Sequence, residues 1–358
     1  MFSGTSPAGP DASLSFGDYF EAVRSFIEGA GSDAIGRTLA DWGADASSAE
    51  ILRIFLAKHG EYYHPARVEA QIKEELFHWV VNVAVSPAGR SLLFKEYAIL
   101  ERLSREFRTS YLPQVYGAGE VVAGRGHPVA MFLGQWFGGF HEFHLTRDAP
   151  EEKPALVLWD AENGHRRLDR NQARRVYHQV ARILTHYFSL TTSEGIGAWH
   201  HAAGDFVIRL RGADPEARLI TVRAYRPVFR ARPNSGDPDH NLKTLLEMLL
   251  IFLLNLSIRT RLDRLDGTGA MAWSDPVAVE ATVAGMLAGL AGKPPPFGLA
   301  LPVDQLFRHY LAACSAEDVL DLCNGIANTY PPEAPETPVV RARLEEHATA
   351  LSDALGQL

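Results

Sequence analysis

The chain has 358 residues, 46% hydrophobic and 22% charged, a composition that supplies an ample buried core for one large domain or two modest ones. Its net charge of −8, from 43 acids and 35 bases, argues against a general nucleic-acid binder. The only cysteines, Cys314 and Cys323, lie nine apart without CxxC spacing and read as buried thiols of a reducing compartment.

Residues 1–16 are small and polar and read as loose. FGDYFEAVRSFIEGA (16–30) and SSAEILRIFLAKHG (47–60) carry apolar residues at helical spacing, with Asp18 and Ser47 or Ser48 as expected caps and Gly60 as a stop. The period then changes. RVEAQI (67–72) and FHWVVNVAVS (77–86) are rich in β-branched and aromatic residues and read as strands. PAGR (87–90) reads as a turn before a helix over 92–107, on which Leu93, Tyr97, Leu100 and Leu103 share a face with Glu96 beside them. LPQVYGAGEVVAG (112–124) and PVAMFLGQWFGGF (128–140) read as two more strands.

Helices dominate from there. A long one is expected over 171–192, followed by the loop segment GIGAWHHAAGD (195–205) and a hairpin of FVIRL (206–210) with RLITVRAY (218–225). Five or six helices fill the chain from 240, broken by GKPPPFG and YPPEAPETP. No internal repeat is evident. The first twenty residues lack a basic start and apolar block, so no signal peptide is read. LLEMLLIFLLNLSI (245–258) is short for a bilayer and contains Glu247 and Asn255, so a buried core helix is expected. The expectation is a cytoplasmic protein with no membrane and no nucleic-acid partner.

The order of strands, Glu-bearing helix, two strands, linker, long helix, loop, hairpin and helices resembles the protein-kinase-like superfamily, in its aminoglycoside-phosphotransferase-like branch, over about residues 60–265. The resemblance implies an α+β, bilobal kinase-like fold. A helical N-terminal extension would span 1–60, a small β-rich lobe 61–145 and a larger helical lobe 146–358. It also implies ATP and magnesium as cofactors.

The motifs are heavily altered. In KEYAILERL (95–103), Glu96 stands where kinases keep the Glu that pairs with a phosphate-gripping cation. In VVNVAVS (80–86) that cation is missing. Asn82 takes its place in one register and Ser86 in another, leaving Arg67, Lys73, Arg90 or Lys95 as substitutes from elsewhere. Gln135, Trp136 and Phe137 fall near the linker that would face adenine. VEAQIKEEL (68–76) has no glycine, so a close backbone approach to phosphates is not encoded there. At the catalytic loop, Asp205 falls at the metal-binding Asn, His200 at the catalytic Asp and Ala198 at the leading His. Arg223 falls near the second metal-binding Asp.

Within that resemblance Asp205 would hold the metal or nucleotide, and His200 or His201 would handle an acceptor proton. Arg223 would meet phosphate or form a salt bridge with Asp205. Read without the resemblance, the same loop is a turn at Gly204 with Asp205 capping it and both histidines packing. HEFH (141–144) admits a metal reading through His141, Glu142 and His144, although it lacks the HExxH spacing of a zincin, and helix-entry packing is preferred.

Three functions follow. Loss of the Lys, the catalytic Asp, the second metal Asp and the glycine loop together favours a pseudokinase that binds a nucleotide or a protein partner. An atypical phosphotransferase acting on a small molecule or protein is the alternative. A helical interaction scaffold without nucleotide binding is the third.

Overall fold

The computed structural model describes residues 14–358, except 46–48, 61, 150, 198, 200, 201, 213, 230–232 and 234. The chain forms two compact units, residues 1–138 and 139–358.

The first unit opens with α1 (Phe16–Glu28) and α2 (Ser32–Asp41). Ser15, not Asp18, is the N-cap of α1. Asp18 sits at the third helical position and completes a capping box with Ser15. β1 (Ala49–Leu56) follows where a helix was expected. ILRIFL satisfies helical spacing, but a short apolar run fits a strand as well, and pairing of Leu52–Leu56 with Ala66–Ala70 of the next strand decides for the sheet. The expected caps Ser47 and Ser48 lie outside the described residues.

β2 (Ala66–Ile72), β3 (Glu75–Ala84), β4 (Val115–Ala123) and β5 (His127–Gln135) complete an antiparallel sheet of order β1-β2-β3-β5-β4. Both edge strands carry an irregularity, at Ala49/Ile51 in β1 and Val115/Gly117 in β4. Between β3 and β4 runs α3 (Pro87–Glu106). It starts earlier than read, because Ser86 caps it and Pro87 occupies the first turn, where a missing N–H costs nothing.

One face of the sheet, carrying Val68, Ala70, Trp79, Val81, Met131 and Leu133, buries against Tyr19, Val23, Phe26 and Leu39 of the two N-terminal helices. The Trp79 indole N–H donates to Thr38 Oγ1 at 3.0 Å, and Trp42 stacks on both Trp79 and Phe77. The opposite face carries α3, whose Tyr97 ring lies 6.0 Å from Phe132.

The second unit begins with a three-stranded sheet that the sequence reading missed: β6 (Glu142–Thr146), β7 (Ala155–Trp159) and β8 (Arg166–Arg167). HEFH is therefore in a strand and not at a helix entry. α4 (Arg170–His186) is capped by Asp169 and ends before the expected 192. β9 (Glu194–Gly197) pairs with β12 (Ala224–Pro227). Between them lie the short α5 (Ala202–Asp205) and the hairpin β10 (Phe206–Arg211) and β11 (Asp214–Leu219). The second hairpin strand thus ends at Leu219, and ITVR (220–223) is a connection and not a strand.

Five helices and a small hairpin follow: α6 (Pro238–Arg261), β13 (Leu262–Arg264), β14 (Met271–Trp273), α7 (Val277–Ala291), α8 (Val303–Ala312), α9 (Ala316–Ala327) and α10 (Thr337–Leu355). At 24 residues α6 is longer than its apolar run and long enough to cross a bilayer, but 67% of its most apolar window is buried inside the protein, as in a core helix. Burial raises the pKa of both thiols, Cys323 to about 12, which removes thiolate chemistry.

The structure is of the expected α+β class, with a β-rich first unit and a largely helical second unit.

Two substitutions test this packing. α7 approaches α4 through glycines: a Cβ on Gly285 would stand 2.2 Å from the His178 carbonyl oxygen. Gly285→Ala should cost about 2 kcal/mol, because the clash is with backbone and cannot relax by a rotamer change. Thr38→Val should cost about 1–2 kcal/mol by leaving the buried Trp79 N–H without an acceptor. Urea unfolding of each variant measures both.

Candidate functional site

The expected site residues divide between the units. In the first unit, antiparallel partners present their side chains on one side, so Asn82 shares a face with Phe132, and Val80 with Gly134 and Arg67. Glu96 lies in the buried stripe of α3 with Leu93, Leu100 and Leu103 and is 1% exposed. β3 brings only the uncharged Asn82 to this face at the expected cation position, and the other candidate, Ser86, caps α3.

Of the four substitute cations, Arg67 is the one on this face. Its guanidinium meets Glu69 at 3.0 Å, lies 4.9 Å from the Phe55 ring centroid and 5.8 Å from that of Trp136. Glu69 is buried and also draws in His78 at 3.3 Å and Arg53 at 3.5 Å. Arg67 is therefore committed to a carboxylate and two aromatic rings. Lys73 sits in the β2–β3 turn at φ 58°, Arg90 faces Glu120 at 3.6 Å, and Lys95 is exposed on α3. At the linker, the Gln135 N–H donates to the Gln114 carbonyl at 2.8 Å, which extends the sheet by one more bond. Trp136 stacks on Arg67, and Phe137 is half-buried.

In the second unit, the segment between β9 and β10 carries Gly204 at φ 83°, followed by Asp205 at the end of α5, directly before β10. His200, His201 and Ala198 lie outside the described residues. Asp205 is 4% exposed. Arg223 grips its carboxylate with both terminal nitrogens, Nη2 to Oδ1 at 2.8 Å and Nη1 to Oδ2 at 3.1 Å. The Asp205 carbonyl also accepts from the Ile220 N–H at 2.9 Å. Side chain and backbone together bind the end of the loop to the connection between β11 and β12. This fork geometry is the strong form of an Arg–carboxylate pair. It realises one of the two roles read for Arg223, the salt bridge.

The HEFH residues do not converge. His141 faces Asp160 at 3.6 Å, whereas His144 faces Asp263 at 3.5 Å and Glu142 at 3.8 Å. Among the described residues no three His, Cys, Asp or Glu side chains are grouped to hold a metal ion. Asp263 is instead a structural acceptor, taking the backbone N–H groups of Leu145 and Arg264 at 2.7 Å each. The 119-position separation of His144 and Asp263 hid this pair from any reading by spacing. Trp159 packs edge-on at 4.9 Å to the imidazole.

Burial alone would lower the His144 pKa, but the carboxylates of Asp263 and Glu142 outweigh it and raise it to about 9. The folded value exceeds the ordinary 6.5, so folding favours the protonated ring. The stabilisation, up to about 3 kcal/mol, is full below pH 6.5 and fades as pH rises through 9. Between pH 6.5 and 9.5 the melting temperature should fall more steeply for the native chain than for His144→Gln. Parallel profiles would remove the ion pair.

No protein-family model and no curated protein matches this chain. Among solved structures it is similar to one described as "WaaP in complex with acyl carrier protein", at 10% identity and a TM-score of 0.32, covering 88% of this chain and 96% of that one.

Proposed function

We propose that this chain is a kinase-like protein without phosphotransfer activity, acting by binding and not by turnover. The observation that carries the reading is the Asp205–Arg223 fork. In a working site of this fold the residue at position 205 holds magnesium, and a second acid joins it from the segment after the hairpin. Here that segment, ITVR (220–223), contains no acid, and its arginine occupies both oxygens of Asp205.

A divalent cation does not fit this donor set. It would have to displace a guanidinium from a carboxylate that is almost fully buried, and it would gain no second carboxylate from residues 220–223. The first unit supports the same reading. Asn82 supplies no charge for phosphate, and Arg67 already satisfies Glu69. A nucleotide bound without metal, or a protein partner, remains compatible with this site.

The test has two arms. Thermal melting with ATP, ADP or GTP should give the same shift in magnesium, in manganese and in EDTA, because no metal bridges nucleotide and protein. ATP consumption by the native chain should equal that of Asp205→Ala. Metal-dependent consumption that disappears in Asp205→Ala would establish the atypical phosphotransferase instead. Independently of activity, Arg223→Ala should destabilise the chain by about 2 kcal/mol, because it takes the guanidinium away from a buried carboxylate. Adding Asp205→Asn to that variant should recover part of the loss in urea unfolding.

A further inference from the structure

α10 sits on α6, α7, α9 and β14 through one helix face, on which Val340, Leu344, Leu351 and Leu355 are buried. At the middle of that face stands His347, 0% exposed and the one buried ionisable side chain among the described residues of α10. Its contacts fix the state of the ring. Ser257 Oγ donates to the Leu254 carbonyl at 2.9 Å, so its lone pair accepts from His347 Nε2–H at 3.1 Å. The other lone pair of the neutral ring is then on Nδ1, which is buried and has no hydrogen-bond partner among the described residues. A second proton could go only to Nδ1, where it would become a buried donor without an acceptor.

The charge of that proton is opposed as well. Arg261 of α6 is 1% exposed, with its guanidinium 4.7 Å from the Trp273 ring centroid, and the His347 ring lies 5.8 Å from the same indole. Glu346, the neighbouring acid on α10, already meets Arg261 Nη2 at 2.8 Å. Arg259 of α6 turns instead to the Trp199 carbonyl and the Tyr330 ring. Glu280 of α7 is half-buried, whereas Glu317, Asp318 and Asp321 of α9 and Arg343 and Glu345 of α10 are exposed, and β14 carries no charge. Arg261 is the charge that acts on the ring, and burial and Arg261 together push the His347 pKa down to about 3. This lies below the ordinary 6.5, so an opened α10 takes up a proton that the seated helix refuses. Seating is strongest above pH 6.5 and weakens as pH falls from there towards 3.

We propose that His347 makes the seat of α10 an acid-sensitive latch: the neutral ring lets the helix lie on its neighbours, and a proton on Nδ1 is accommodated by the helix leaving. The latch shares no residue with the Asp205–Arg223 pair, so it stands whether or not the chain transfers phosphate.

Hydrogen exchange of the full chain tests the latch, read as protection factors so that the intrinsic pH dependence of exchange cancels. Between pH 7.5 and 5 the amides of residues 337–355 should lose about thirtyfold in protection, the ratio set by one proton taken up with an opened pKa of about 6.5. β6, where His144 acts in the opposite sense, should stay within about threefold. His347→Gln keeps a donor for Ser257 and cannot take a second proton, so its α10 should also stay within about threefold over the same range. The native chain decides by itself if that variant does not fold. A loss in native α10 of less than about threefold, or an equal loss in β6, overturns the proposal, as does an undiminished pH response in folded His347→Gln.

Discussion

A buried carboxylate keeps its charge only beside a partner, and Asp205 has taken a guanidinium. This choice organises the centre of the second unit. The loop that leaves β9 must end where β10 begins, and the connection that leaves β11 must turn back to pair β12 with β9. The Arg223 fork and the Ile220 N–H bind those two stretches to the same residue. An ion pair of this kind contributes little net stability over an apolar replacement, but removing one member is costly. The pair thereby ties the end of one segment to the start of another.

The first unit satisfies its charges in the same way. Glu69 collects Arg53, Arg67 and His78 on the sheet face where a nucleotide-binding protein of this fold would need an uncommitted cation. In both units a buried carboxylate is thus met by arginine, and the proposed binding without turnover draws on both pairs.

Legibility in the sequence followed the range of the interactions. Between 66 and 135 the strands and the inserted helix were readable, because alternation and helical spacing are local and each element buries one face. Residues 49–56 were misread because their spacing satisfies a helix as well as a strand, and only the pairing with β2 distinguishes them. The strands at 142–146 and 155–159 went unread: their pairing with each other, not their own spacing, defines them. At the site, Asp205 and Arg223 were identifiable from their places before and after the hairpin, and a salt bridge between them was one of the two readings. The Arg67 stack between Phe55 and Trp136, the His144–Asp263 pair and the Ser257–His347 contact join residues far apart in the chain. No spacing rule reaches them.

The irregularities in β1 and β4 fall on the two outermost strands of the five-stranded sheet. An uninterrupted outer strand is a template on which another chain can lay down backbone hydrogen bonds, and a local bulge spoils its repeat. This sheet is interrupted at both margins. Templated growth into larger assemblies is discouraged from either side.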